Sequence, residues 1–225
     1  FMPDPSPTTS AIHSLLEPLD PQWGTIGQAL IALRFADVEA ELAAMKTLAI
    51  CDVSALAKLG VKGSGSAAWL QEQGIDVPPG TYEARRLSDG GFVVRISSDE
   101  YFLESGTAGT SMHALGPPLD VSRRDVYRVQ RQDATILLSG SRALEVMRQT
   151  CGVDLNVAPP RRLLLTRIAG VNAGIMLDPM DELPVYRIWV DFTFALFLWQ
   201  TLDRICAELG GRIIGAACFY PDLMD

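Results

Sequence analysis

Four cysteines, Cys51, Cys151, Cys206 and Cys218, and two histidines, His13 and His113, are the side chains of this 225-residue chain best suited to ligate a metal or act as nucleophiles. Zinc sites draw on ligands clustered in close pairs, and these six are scattered, so no metal is expected. Neither histidine stands in a pattern that would activate a serine or cysteine, so no triad is expected. The glycine-rich stretch "GVKGSGS", residues 60–66, lacks the Gly-Lys-Ser/Thr ending that grips nucleotide phosphates and the full Gly-x-Gly-x-x-Gly spacing of a dinucleotide site. What remains are three arginine pairs, Arg85/Arg86, Arg123/Arg124 and Arg161/Arg162, read as solvated surface with the capacity to clamp a carboxylate. A net charge of -8 argues against a surface that tracks phosphate backbones, so no nucleic-acid partner is expected.

Periodicity and punctuation define the elements that would position a site. Leu30, Leu33, Val38, Leu42, Met45 and Leu48 recur at roughly helical spacing with Asp37, Glu39 and Glu41 off the stripe, which predicts one amphipathic helix. Ile50 to Val61 reads as a strand or strand pair. Gly63, Ser64 and Ser66 supply a turn and cap for a short helix, Ala67 to Gln73, that Gly74 ends. Between Thr81 and Ser105, "TYEARRL", "FVVRI" and "EYFLES" are separated by tight-turn residues and predict a three-strand meander. "GTAGTSMHALGPPLD" is the natural link, with His113 exposed in it. "DVYRVQRQDATILLSG" is again strand-like, followed by a helix from Ala143 to Gln149 with Gly152 just past its end. Three strands follow, Leu163 to Ala169, Asn172 to Leu177 and Pro184 to Val190. A helix then runs from Thr193 to about Leu209, stopped by Gly210 and Gly211, with a last strand in "RIIGAACFY".

Two phrases, "LGVKGSGSAAWLQEQGIDV" and "ILLSGSRALEVMRQTCGVDL", each spell strand, Gly-Ser turn and helix. The predicted fold class is therefore α+β, with two pseudo-repeated α+β halves packed together. Residues 1–27 are expected as a flexible N-terminal tail, 28–110 as the first half, 120–216 as the second and 217–225 as a C-terminal tail. A content of 48% hydrophobic and 20% charged residues suits a soluble globular core. The longest apolar run, "FTFALFLW" at residues 192–199, is too short to cross a bilayer, so no membrane association is expected. With no signal-peptide pattern and no disulfide framework, a cytoplasmic location is expected.

The segments "ICDVSALAKLGVKGSGSAAWLQ", "DGGFVVRISSDEYFLES" and "ATILLSGSRALEVMRQTCGVDL", in this order, resemble the folate-binding superfamily of the glycine cleavage T-protein. The resemblance covers roughly Phe35 to Leu209 and implies the T-protein folate-binding-domain fold. Within that superfamily, "DEYFL" and "TFALFLW" are similar to phrases of the γ subunit of heterotetrameric sarcosine oxidase. The resemblance implies that active members hold the pterin with a carboxylate just after the Gly-Gly pair. Here Gly90 and Gly91 run straight into "FVVR", Gly106 stands where an asparagine is expected, and Arg187 stands where a glutamate would face the pterin. General acid-base chemistry needs a titratable group at the reacting atom, so no catalytic residue is expected.

The resemblance thus implies a non-catalytic γ-type subunit or accessory protein of a flavin-dependent sarcosine or N-methyl amine oxidase-like complex. Its partners would be the larger subunits of that complex, with flavin only in those subunits, and tetrahydrofolate the one cofactor left open for this chain. The alternative is a tetrahydrofolate-dependent aminomethyltransferase or demethylase with a rebuilt site drawn from Asp89, Arg95, Tyr101, Arg167 and Arg187. The iron-sulfur-assembly branch is disfavoured, because "GAACFYPDL" around Cys218 lacks the lysine and later members of its signature. The helix over "FTFALFLWQTL" is apolar nearly all round, so Phe194, Phe197, Leu198 and Trp199 are candidates for a partner interface, or else for a central buried helix.

Overall fold

The computed structural model describes residues 7–115 and 123–224. The N-terminal elements are a single helical turn, α1 (His13–Leu16), and a hairpin of β1 (Gln22–Ile26) and β2 (Ala29–Arg34). Gly27 turns the hairpin with a φ of 58°, a left-handed geometry that glycine adopts without a Cβ clash. Asp37 then caps α2 (Val38–Thr47) by accepting from the amides of Glu39 and Ala40. This cap corrects the single helix expected from Leu30 onward: Leu30 and Leu33 lie in β2, and the helix starts at Val38.

Next come β3 (Ala49–Asp52), β4 (Lys58–Lys62), α3 (Ser66–Glu72) and the meander β5 (Ala84–Arg86), β6 (Phe92–Arg95) and β7 (Glu100–Glu104). A short helix, α4 (Thr110–Ala114), precedes β8 (Tyr127–Gln130), β9 (Asp133–Ser139) and α5 (Ala143–Thr150). A second meander follows, β10 (Leu164–Ile168), β11 (Val171–Leu177) and β12 (Val185–Asp191), and then α6 (Phe192–Glu208) and β13 (Arg212–Ile213).

One large sheet has the order β5-β6-β7-β4-β8 and the other β10-β11-β12-β9-β3-β13. Both run meander first, then the strand leading into a helix, then a strand supplied by the other half of the chain. All neighbours in them are antiparallel except β13, which lies parallel to β3. Because β3 completes the second sheet and β8 the first, the expected halves 28–110 and 120–216 are not separate bodies. They exchange strands.

Side-chain alternation sorts the core into layers. Phe92, Val94 and Phe102 of the first sheet meet Leu163, Met176 and Trp189 on the second. Phe102 and Trp189 touch edge to face, centroids 5.5 Å apart. On the outer face of the first sheet, Trp69 and Leu70 of α3 pack on Val61, Val93 and Leu103. On the outer face of the second, α5 and α6 cover Ile136, Leu138 and Ile188. The result is helix, sheet, sheet, helix.

Neither predicted tail is one in the described residues. Pro, Ser and Thr are concentrated in the first ten positions, but Ile12 and Leu16 behind them are buried, and His13 stacks near Trp23 at 4.6 Å. Residues 1–6 of the expected tail lie outside the described residues. At the other end, Phe219 is buried and two short 3-10 turns, Ala216–Cys218 and Pro221–Met224, carry the chain. The strand expected in "RIIGAACFY" is only Arg212–Ile213, because the buried Glu41 carboxylate binds the Gly215 amide and draws the chain aside. Glu41 also accepts from the amides of Phe35 and Ala36 and from the Cys218 thiol, fastening the start of α2 to this segment. In the expected link, Thr110–Ala114 is helical, His113 is exposed and Leu115 is buried, while 116–120 lie outside the described residues.

Candidate functional site

Glu104 ends β7 and points into the layer between the sheets with no exposed surface. Its Oε1 accepts from Arg187 Nη1 at 2.5 Å, and its Oε2 accepts from Trp189 Nε1 at 2.8 Å and Thr135 Oγ1 at 2.5 Å. Arg187 and Trp189 are two apart on β12 and so share a face, and Thr135 on β9 is the register partner of Trp189. Lys58 Nζ lies 3.6 Å from the same carboxylate and donates to the carbonyls of Ser54 and Leu56. Arg187 Nη2 reaches the Tyr220 hydroxyl at 2.8 Å, and its guanidinium lies 5.2 Å from the centre of the Phe92 ring. Burying charge is costly unless it is paired and hydrogen-bonded, and this cluster meets both conditions around Glu104.

Burial pushes the Glu104 carboxyl up, but Arg187, Lys58 and the bonds from Thr135 and Trp189 outweigh it and hold the group below its ordinary value. Burial lowers the Lys58 ammonium, with Glu104, Asp52 and Asp133 opposing that fall. A carboxyl held low only in the folded chain adds stability that is complete above the ordinary glutamate value of about 4.3. That stability disappears as pH falls through the folded value. The urea midpoint is therefore expected to drop on acidification below about pH 4.3, and a Glu104→Gln chain to show a shallower drop. Equal slopes in the two chains would show that another carboxylate governs the acid limb.

The residues expected from sequence do not converge. Asp89 lies in the turn before β6, where Oδ1 accepts the Gly91 amide and Oδ2 the Ser111 amide, each at 3.0 Å. Burial raises its carboxyl, and the Ser111, Gly91 and Gly106 amides bring it below its usual value. Arg95 donates to the carbonyls of Pro79, Ser97 and Ser98 and lies over the Tyr101 ring. Tyr101 is buried on the α3 side of the first sheet, facing away from Arg187. Arg167 is exposed on β10 beside Asn172. Of the five, only Arg187 belongs to the Glu104 cluster.

Sequence reasoning missed Glu104, Lys58, Thr135, Trp189 and Tyr220. The available signal was a charge set against an apolar run, Glu104 directly after "YFL" and Lys58 within "ALAKLGV". Two arginine pairs do meet at the seam between the sheets. Arg86 Nη2 donates to both oxygens of buried Asp178, at 2.9 and 2.8 Å, and Arg161 Nε lies 3.5 Å from it. The carboxylate they clamp is the chain's own.

On α6, Leu198 and Trp199 are 0% and 1% exposed, which corrects their assignment to an interface. They belong to a buried stripe with Ala195, Leu202, Ile205 and Cys206 at helical spacing. Phe194 and Phe197 are half exposed, and Phe192 and Leu196 extend that apolar surface. Among the described residues no group of three His, Cys, Asp or Glu side chains is placed to hold a metal, and no helix is long and apolar enough to cross a membrane.

No family model and no curated protein matches the sequence. Solved structures do. Glycine cleavage system aminomethyltransferase T from Bartonella henselae aligns over 94% of this chain with a TM-score of 0.73 and 13% identity. The present chain spans 60% of the length of that one. The fold is thus a mixed α and β fold of the aminomethyltransferase T kind. A chain of the heterotetrameric sarcosine oxidase from Corynebacterium sp. U-96 shares it, with a TM-score of 0.59 and 20% identity over 77% of this chain and 92% of that one.

Proposed function

We propose that this chain is a non-catalytic, γ-type subunit or accessory protein of a flavin-dependent sarcosine or N-methyl amine oxidase-like complex in the cytoplasm. Flavin and one-carbon transfer belong to its larger partner chains. The observation that carries this reading is the state of the carboxylates. Glu104 has both oxygens bound and two cations beside it, and Asp89 spends both oxygens on backbone amides. General acid-base work needs a carboxyl able to reach a reacting atom.

The backbone around the Gly-Gly turn is closely packed as well. A Cβ on Gly106 would run into the Asp89 carbonyl oxygen, and one on Gly91 into that of Glu104. The pairing of Arg187 with Glu104, at a position where the resemblance implies a pterin-facing glutamate, supports the same reading. The alignment with nearly the whole of a chain from a heterotetrameric oxidase supports a subunit role. The shared strand order of the two sheets supports an origin by duplication followed by strand exchange.

Purified chain supplied with tetrahydrofolate and a methylamine or aminomethyl donor is expected to show no one-carbon transfer. Turnover that vanishes in Asp89→Asn would overturn the reading and restore the alternative of a folate-dependent transferase or demethylase. Co-expression with the flavoprotein chains of an oxidase of this kind is expected to give a single assembly by native mass measurement, and separate elution counts against the subunit role.

A further inference from the structure

A cleft of about 560 Å³, within the size range of small-ligand pockets, opens between the two sheets away from Gly91 and Gly106. Phe102, Trp189, Leu163 and Leu165 form its apolar walls. Its charged lining is Arg131, Asp133, Asp191 and Arg167. Two of these four charges are committed to each other. Arg131 donates to both oxygens of Asp133 at 2.9 and 3.2 Å and lies over the Phe102 ring. Asp191 accepts the amide and hydroxyl of Thr193 at the start of α6 through Oδ1 alone and makes no ion pair among the described residues. Arg167 makes no ion pair among the described residues, and its one hydrogen bond, from Nε to Asn172, is long at 3.4 Å.

Of the two lining charges left without an ion pair among the described residues, Arg167 is the cation, a planar group sharing the cleft with the aromatic wall. We propose that this cleft binds a small aromatic carboxylate, its ring against Phe102 and Trp189 and its carboxylate on the terminal nitrogens of Arg167. Guanidinium and carboxylate match as a two-pronged hydrogen-bonded pair, and the edge-to-face rings offer a face for a third. This binding site does not depend on the subunit reading.

The test uses 2-naphthoate and its neutral amide, 2-naphthamide, as probes of the intact chain, followed by calorimetry and tryptophan fluorescence. One naphthoate is expected per chain, with naphthamide weaker by about tenfold, the worth of a charge-assisted hydrogen bond. Arg167→Gln should remove that preference and leave the thermal midpoint unchanged, because Arg167 is exposed and unpaired. Leu165→Trp, which fills the cleft from its exposed rim, should abolish both. Equal binding of the two probes, or an Arg167→Gln chain that still prefers naphthoate, overturns the proposal, as does an absence of binding at millimolar probe. Competition of tetrahydrofolate with naphthoate would support the cleft while counting against the non-catalytic reading.

Discussion

Glu104→Gln is expected to lower folding stability by about 3–5 kcal/mol, the usual cost of removing one partner from a buried ion pair. The change is nearly isosteric, so packing is kept and charge alone is lost. It leaves the Arg187 guanidinium and the Lys58 ammonium, with side chains 7% and 3% exposed, without the anion that joins them. It also turns one oxygen into an NH₂ group facing donors from Arg187, Trp189 or Thr135. Urea unfolding at neutral pH should show the midpoint fall with the slope unchanged. Replacing the pair together, Glu104→Leu with Arg187→Met, should recover part of the loss, because apolar residues of similar volume often substitute for buried pairs with little penalty. A Glu104→Gln chain within about 1 kcal/mol of the parent would mean that water reaches the cluster. The outcome also bears on function, since a carboxylate committed to holding two sheets together is not available for proton transfer.

Trp199→Ala is expected to cost a further class of stability, about 3–5 kcal/mol, through the cavity left in the core under α6. Phe194→Ala and Phe197→Ala, earlier in the same helix, should each stay within about 0.5 kcal/mol, because their rings are half in water already. The contrast separates two readings of one apolar phrase. If Phe197→Ala proved as damaging as Trp199→Ala, the exposed face would be packed in solution and the helix buried all round. If instead the two phenylalanine variants fold normally but fail to enter the oxidase-like assembly, the exposed side of α6 is its contact surface.

Much of the architecture is written locally. In α3, α5 and α6 apolar spacing and a following glycine mark the helices, and the two meanders carry their own tight turns. The hairpin of β1 and β2 stayed hidden because Leu30 and Leu33 happen to fall in phase with Val38 and Leu42. Only Asp37, read as a cap, would have divided them. Strand exchange leaves no local trace: the stretch holding Ala49–Asp52 and Lys58–Lys62 reads as a strand or strand pair, yet its two strands enter different sheets. The polar cluster was hidden for a similar reason. Lys58, Glu104, Thr135 and Arg187 lie far apart in the chain, and each alone looks like an ordinary strand residue. Arg187 drew notice only as a departure from the resembling family, and its partner could be found only in three dimensions.

The parallel pairing of Arg212–Ile213 with Ala49–Ile50 sets the order in which this protein can mature on the ribosome. Local meanders and helices can form as they emerge, but the outer edge of β3 has no neighbour until the 212–215 segment has been made, and Glu41 waits for the Gly215 amide over the same interval. An unpaired strand edge is an invitation to wrong partners. The nascent chain therefore carries an open flank through most of its synthesis, a period in which chaperone shielding would count more than the stability of the finished fold.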